Sequence, residues 1–245
     1  MSESTATYSP LVVWHDVECG SYRADLPLWE ELAGAQAGPV LDVGAGTGRV
    51  ALELARAGHA VTALDREPEL LAALAERARA EGLRVDTVVA DAAGFALERR
   101  FALVVVPMQT IQLLPERAGF FASARAALAP GGLLALAITG ALEGFEGLPD
   151  ELLPHPDVGE AAGWRFASQP VAVRKFPHAT RIERVRRATA PDGSVTVEDD
   201  AIELAHVTGE RLEAEGRAAG LEPEPARSIA ATADHVGTEV VLLRA

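Results

Sequence analysis

The sequence predicts an α/β fold, a mainly parallel sheet with helices on both faces, and three features carry that prediction. Between residues 40 and 139, short apolar runs of strand length alternate with stretches of helical periodicity. The helical stretches stop at Gly58, Gly82 and Pro130-Gly131, residue types that end a helix through left-handed backbone or a missing N–H. The run Val40-Leu-Asp-Val-Gly-Ala-Gly-Thr-Gly-Arg-Val50 joins a buried strand to a glycine turn and a helix start. Such alternation implies right-handed crossovers and a ligand at the carboxyl ends of the strands.

Taken in order, residues 1–24 read as irregular, with apolar Leu11, Val12, Val13 and Trp14 followed by polar His15, Asp16 and Glu18. Asp25 reads as the N-cap of a helix with Pro27 in its first turn and Leu28, Trp29 and Leu32 along it. Val40, Leu41 and Val43 give the first strand, and Val50, Ala51, Leu54 and Ala55 a helix over about 48–57. Strand Ala60–Asp65, a helix over 68–81, strand Arg84–Asp91, a strand from Phe101, a helix over 115–128 and a strand ending near Ile138 complete the alternation. Residues 140–170, rich in Gly, Pro, Glu and aromatic side chains, read as a loop or lid. Ala179–Ala188 and Ser194–Val207 are strand-like runs around Pro191-Asp-Gly193, a hairpin signal, and Arg181 to Arg187 are expected on its solvated face. Thr208–Ala219 reads as a helix capped by Gly220, followed by strands Leu221–Ile229 and Thr238–Leu243.

Glycine spacing separates the ligands such a turn can hold. The dinucleotide fingerprint Gly-x-Gly-x-x-Gly needs its third glycine where this chain has Arg49. Here Gly44 and Gly46 permit close backbone approach, and Gly48, one residue early, suits packing. Asp65, at the end of the second strand, suits hydrogen bonds to ribose hydroxyls, which nicotinamide and other adenosine sites share.

Gly-x-Gly-x-Gly preceded by Asp42 resembles motif I of the class I S-adenosylmethionine-dependent methyltransferases. The resemblance continues through Arg84 to Asp91-Ala92, Phe101 to Gln109 and Leu128 to Ile138, which are similar in order to that family's adenine-reading acid, fourth strand with its substrate-facing loop, and fifth strand. It implies a Rossmann-like seven-stranded sheet in which one helix and two antiparallel strands follow strand five. Residues 140–207 then form a small antiparallel insertion over the active-site mouth. The expected plan is one domain over 1–245, with a cap segment and helix over 1–35, a cofactor-binding core over 36–139, the insertion over 140–207 and the final helix and strand pair over 208–245.

The same resemblance implies S-adenosylmethionine as cofactor and S-adenosylhomocysteine as its product. The expected contacts are Tyr22, Asp42, Gly44, Ala45, Gly46, Asp65, Arg66, Asp91, Ala92, Pro107, Met108 and Gln109. Of these, Asp65 would take the ribose, Asp91 and the following N–H the adenine edge with Arg66 flanking it, Asp42 the turn or a water near the cofactor ammonium, and Tyr22 the methionine end. Methyl transfer from a sulfonium is an in-line displacement, so alignment and desolvation matter most and a base is optional. His15, His155 and His178 are the candidate bases. Pro107-Met-Gln-Thr110 lacks the Asn-Pro-Pro-Tyr or Asp-Pro-Pro-Tyr found in some methyltransferases, which argues against nucleic-acid bases as acceptors.

Composition narrows the classes further. A formal net charge of -14 over 245 residues opposes a phosphate backbone. The 49% hydrophobic content comes in short runs, none near the ~20 residues of a membrane helix, and no secretory signal is evident, so cytoplasmic placement is expected. Cys19 stands alone and the six histidines show no ligand spacing, so no metal is expected. The expectation is a monomer or homodimer that methylates an O, N or C atom of a small molecule. The alternatives are a non-methylating or regulatory S-adenosylmethionine-binding protein and, against Arg49, an NAD-dependent oxidoreductase.

Overall fold

The computed structural model describes residues 9–140, 142–232 and 235–245. In chain order its first half contains α1 (Pro10–Cys19), α2 (Leu26–Ala35), β1 (Val40–Val43), α3 (Arg49–Arg56), β2 (Val61–Asp65), α4 (Pro68–Ala80), β3 (Val85–Val89), β4 (Phe101–Val106), α5 (Ala118–Ala127) and β5 (Leu128–Thr139). There follow β6 (Asp157–Ala161), β7 (Trp164–Lys175), β8 (Ala179–Thr189), β9 (Val195–Ala205), α6 (Gly209–Ala218), β10 (Glu222–Ile229) and β11 (Thr238–Arg244).

Every residue of β1 is buried, as a central parallel strand requires, and β1 pairs in parallel with both β2 and β4. The main sheet runs β10-β11-β5-β4-β1-β2-β3 and is parallel except for β11. It is the seven-stranded, mainly parallel sheet expected, with helices on both faces. Side chains alternate between those faces with period two. Val40, Leu103 and Val105 pack under Trp29, Leu32, Leu54 and Leu74 of α2, α3 and α4, while Leu41, Val43 and Val104 meet Phe120, Phe121 and Leu212 of α5 and α6. Strand order reverses between β1 and β4, which opens a crevice at the carboxyl edge.

The insertion is a separate four-stranded antiparallel sheet, β6-β7-β8-β9. It corrects the loop expected over 140–170: β6 and the first half of β7 lie there, paired from Asp157↔Ser168 to Ala161↔Trp164. Gly and Pro did not preclude strands, because Gly163 turns the hairpin in left-handed backbone (φ 79°) and Pro170 sits at an irregularity in the β7·β8 register.

The N-terminal segment is also corrected, since α1 is helical where residues 1–24 read as irregular. Pro10 opens it, and Val13, Trp14 and Val17 pack against Phe166 of β7, with Trp14 and Phe166 edge-to-face at 5.3 Å. Its polar residues are bound as well. Glu18 accepts both ends of the Arg186 guanidinium at 2.7 and 2.8 Å and the Ser168 hydroxyl at 2.7 Å. Burial alone would raise the Glu18 carboxyl, but Arg186 and Ser168 hold it below its ordinary range. The arginine stretch is therefore divided: Arg181 and Arg187 face solvent, whereas Arg186 turns to α1 and lies over the Trp14 ring at 5.4 Å.

Asp25 precedes α2 as expected but makes no capping bond with its side chain. Instead Asp25, 1% exposed, takes Arg49 in a fork at 2.5 and 2.8 Å and the Trp29 indole N–H at 2.8 Å. The pair fastens the start of α2 to the start of α3. Arg49→Ala, which strands a buried carboxylate, is expected to cost about 3–5 kcal/mol, seen as a lower urea midpoint at unchanged slope. Replacing both partners, Asp25→Leu with Arg49→Met, is expected to recover most of that loss.

Candidate active site

The glycine turn after β1 holds left-handed backbone at alternate residues: φ is 74° at Gly44, 53° at Gly46 and 96° at Gly48. Each bare Cα receives a different element. A Cβ on Gly44 would fall 2.5 Å from Thr110 Cγ2, one on Gly46 2.1 Å from His15 Nε2, and one on Gly48 2.7 Å from Leu74 Cγ. The Gly44 and Ala45 amides donate to the Leu64 carbonyl, which ties the turn to the end of β2. There Asp65 accepts the Gly46 N–H at 2.8 Å through Oδ2 and the Glu67 N–H at 3.0 Å through Oδ1.

His15 reaches this turn from α1. Its Nδ1 lies 3.2 Å from the Thr47 hydroxyl, which donates to Asp16 at 2.7 Å, and Arg77 grips Asp16 at 2.9 and 2.5 Å. Burial lowers the pKa of His15 against the opposing pull of Asp16 and Asp65, so the ring is held toward its neutral form. His155 and His178 lie exposed and outside this cluster.

Among the described residues, the buried side-chain atoms that lack a partner in hydrogen-bond geometry include both oxygens of Asp42, the Tyr22 hydroxyl and the Thr139 hydroxyl, besides Arg184 Nε and Asp200 Oδ2 in the insertion sheet. Burial pushes the Asp42 carboxyl up to about 7, with Arg49 opposing the rise and Asp65 adding to it. The Tyr22 ring lies between the Arg49 guanidinium at 5.3 Å and the His235 ring at 4.8 Å, and Thr238 is the side chain that acts on its hydroxyl. Thr238 is in turn the register partner of Thr139 across β11 and β5.

The remaining expected contacts also lie on loops that leave this edge. Asp91 is exposed and accepts the Ala93 N–H at 2.8 Å, and Ala92 beside it is half-buried. Arg66 points outward, its side chain 74% exposed and paired with Glu67. After β4, Pro107 is buried and Met108 has φ 54°, a conformation that costs a non-glycine residue about 1–2 kcal/mol. The Gln109 carbonyl accepts the Gln112 and Leu113 amides, closing a 3-10 turn over Thr110–Leu113.

Beyond that turn is a cavity of about 620 Å³ between the β5, β11 and β10 ends and the insertion sheet. Ile138, Leu204, Val207 and Ile229 give it an apolar wall, and Thr139, Lys175, His206 and Glu239 are among its polar groups. Gln112, 5% exposed, fixes the boundary: its Oε1 accepts the Thr139 N–H at 2.8 Å, and its Nε2 donates to the Thr139 and Ala205 carbonyls at 3.3 Å. The sequence reading missed Gln112 and His206. A glutamine three residues after Gln109 was the available signal for the first. His206 gave none, since its bond to the Thr180 hydroxyl (2.8 Å) exists only once β8 and β9 are paired.

Comparison with known proteins agrees with this geometry. Residues 40–132 match the methyltransferase domain family. A ubiquinone biosynthesis O-methyltransferase of Xanthomonas euvesicatoria pv. vesicatoria is 35% identical over 107 residues, which is 43% of this chain and 44% of that protein. The chain thus matches under half the length of that curated relative. A S-adenosylmethionine-dependent methyltransferase from Clostridium acetobutylicum superposes with a TM-score of 0.71 over 95% of this chain and 96% of that one, at 13% identity, a likeness of fold alone. The glycopeptide N-methyltransferase MtfA, solved with S-adenosyl-L-homocysteine, superposes with a TM-score of 0.60 at 25% identity, over 89% of this chain and 86% of its own.

Gly46→Ala is expected to lose about 1–2 kcal/mol from left-handed strain and more from the contact with His15. Adding His15→Ala relieves only the contact, so a double-mutant cycle in urea is expected to show positive coupling, with the strain left over.

Proposed function

We propose that this chain, which carries a class I S-adenosylmethionine-dependent methyltransferase domain, transfers a methyl group from that cofactor to an O, N or C atom of a small molecule. The observation that carries this is continuity: the glycine turn, Asp65 and Asp91 lie on the β1–β2–β3 side of the carboxyl edge, the cavity lies on the β5–β11–β10 side, and the turn after β4 links them, with its Thr110 against Gly44 and its Gln112 in the cavity lining. The residues fit the cofactor, since the cradle offers left-handed glycines and a buried carboxyl, Asp42, that meets no donor in hydrogen-bond geometry.

In this reading Asp65 takes the ribose hydroxyls on lone pairs left by its two backbone bonds, and Asp91 with the Ala92 amide takes the adenine edge, with Arg66 outside it. Gly44, Ala45, Gly46, Asp42 and Tyr22 hold the methionine end. Pro107, Met108 and Gln109 line the passage toward the acceptor. The bound cofactor supplies the methyl group and its own leaving group, and the chain aligns the two reactants and excludes water. His206, which lines the cavity, takes the place of His155 and His178 as the histidine placed to accept a proton from an acceptor hydroxyl or amine. Small-molecule acceptors agree with relatives that include an O-methyltransferase of ubiquinone biosynthesis and a glycopeptide N-methyltransferase. We read residues 1–245 as one unit, a cytoplasmic monomer or homodimer that does not act on nucleic acid.

The test is calorimetry with S-adenosylmethionine and S-adenosylhomocysteine on protein freed of co-purified ligand. Micromolar or tighter binding is expected, and Asp65→Ala is expected to weaken it about ten- to hundredfold, equivalent to ~1.5–3 kcal/mol of charge-assisted hydrogen bonding. No binding by folded protein overturns the cofactor. Binding without methylated product across a panel of phenols, catechols, amines and amino sugars turns the reading to a non-methylating role.

A further inference from the structure

Asp42 occupies an unusual electrostatic position. It is 1% exposed, on the strand that feeds the glycine turn, and neither of its oxygens meets a donor in hydrogen-bond geometry. The charged groups that act on it come from three neighbouring elements: Arg49 from α3, Asp65 from β2 and Asp25 from the start of α2. The Ala51 amide on α3 acts on it weakly. Arg49 is the one cation among these, and its fork is committed to Asp25 and to the Tyr22 carbonyl at 2.8 Å. Asp42 therefore faces one guanidinium that is already engaged and two further carboxyl groups. His15, the nearby titratable group on α1, is held neutral over Asp65 and adds no positive charge.

A carboxyl so placed has two stable states: neutral with its proton, or ionised beside a new cation. Resting on the cofactor reading above, we propose that Asp42 keeps a proton in the cofactor-free protein and releases it to solvent when the cationic ammonium of the methionine end arrives. Cofactor binding is then coupled to proton release at this residue. The sign follows from linkage: the carboxyl is raised in the free protein, to about 7, and lowered in the complex, so affinity falls as pH falls through that value. About half a proton is released per ligand at pH 7, and nearly one at pH 6, with affinity weakening about fivefold between them.

The test titrates ligand-stripped protein with S-adenosylhomocysteine at pH 6 and 7 in phosphate and in imidazole, buffers of widely different ionisation heat. The expected result is net proton release that grows toward one at pH 6, together with loss of a protonated-carboxyl infrared band on binding. In Asp42→Asn both are expected to vanish, and affinity to become flat over that range. If the variant does not fold, carbon-13 labelling of aspartate in the wild-type chain shifts the infrared band and assigns it. Binding with equal heats in the two buffers overturns the proposal. So does proton uptake, the sign expected if the ligand instead frees His15 from burial, and so does release that persists in Asp42→Asn. An absence of binding in either buffer overturns the cofactor reading itself, a different result from tight binding without proton exchange.

Discussion

The arrangement of this molecule depends on three missing Cβ atoms. Gly44, Gly46 and Gly48 are sockets into which Thr110, His15 and Leu74 fit, each from a different part of the chain. The turn after β4 approaches β1 through the first, the N-terminal helix settles on the cradle through the second, and α4 closes on α3 through the third. A side chain at any of them would displace the side chain that fills the socket, because the opposing atoms lie within 2.1 to 2.7 Å of where it would stand. The same left-handed backbone turns the Gly46 amide onto Asp65, so packing and ligand geometry have one origin.

Around that turn the structure concentrates buried charge. Arg49 and Asp25 satisfy each other with close bonds and a third partner in Trp29, whereas Asp42 one strand away has none. Neighbouring carboxyl groups thus have opposite characters: one is a fastening, the other a reserve of polarity kept out of water. Met108 adds strained backbone in the turn after β4. Such departures from best stability are typical of functional sites, and beneath the edge the two core clusters of the main sheet are apolar.

What the sequence revealed follows from how local each signal was. β1 with its glycine turn could be read because strand burial, φ > 0 chemistry and the helix start all fall within ten residues. α1 could not, because its apolar stripe of Val13, Trp14 and Val17 has meaning only against Phe166, about 150 residues later, and Glu18 looked solvated without Arg186. Asp25 was found at the right position with the wrong partner: Asp is a common N-cap, and only the tertiary fold brings Arg49 to it. The arginines of β8 fall on both faces, Arg184 and Arg186 on one and Arg181 and Arg187 on the other, and which face was wet depended on the helix that covers it. Of the candidate histidines, His15 stands at the glycine turn, His155 and His178 are exposed with His178 accepting the His206 amide through its carbonyl, and His206 owes its place to strand pairing alone.

Asp16 and Glu18 are two residues apart on α1, about 200° around its axis, and so point to opposite sides of the helix. One is gripped by Arg77 of α4 and the other by Arg186 of the insertion sheet. α1 is therefore a spacer between the insertion sheet and α4, and the gap it fills is set by its own girth, about 10 Å. A lineage that alters the length, bulk or rotation of this N-terminal helix would resize the cavity roof without touching one cavity-lining residue. Selectivity for large or small guests can thus evolve in a segment of the chain that never meets the guest.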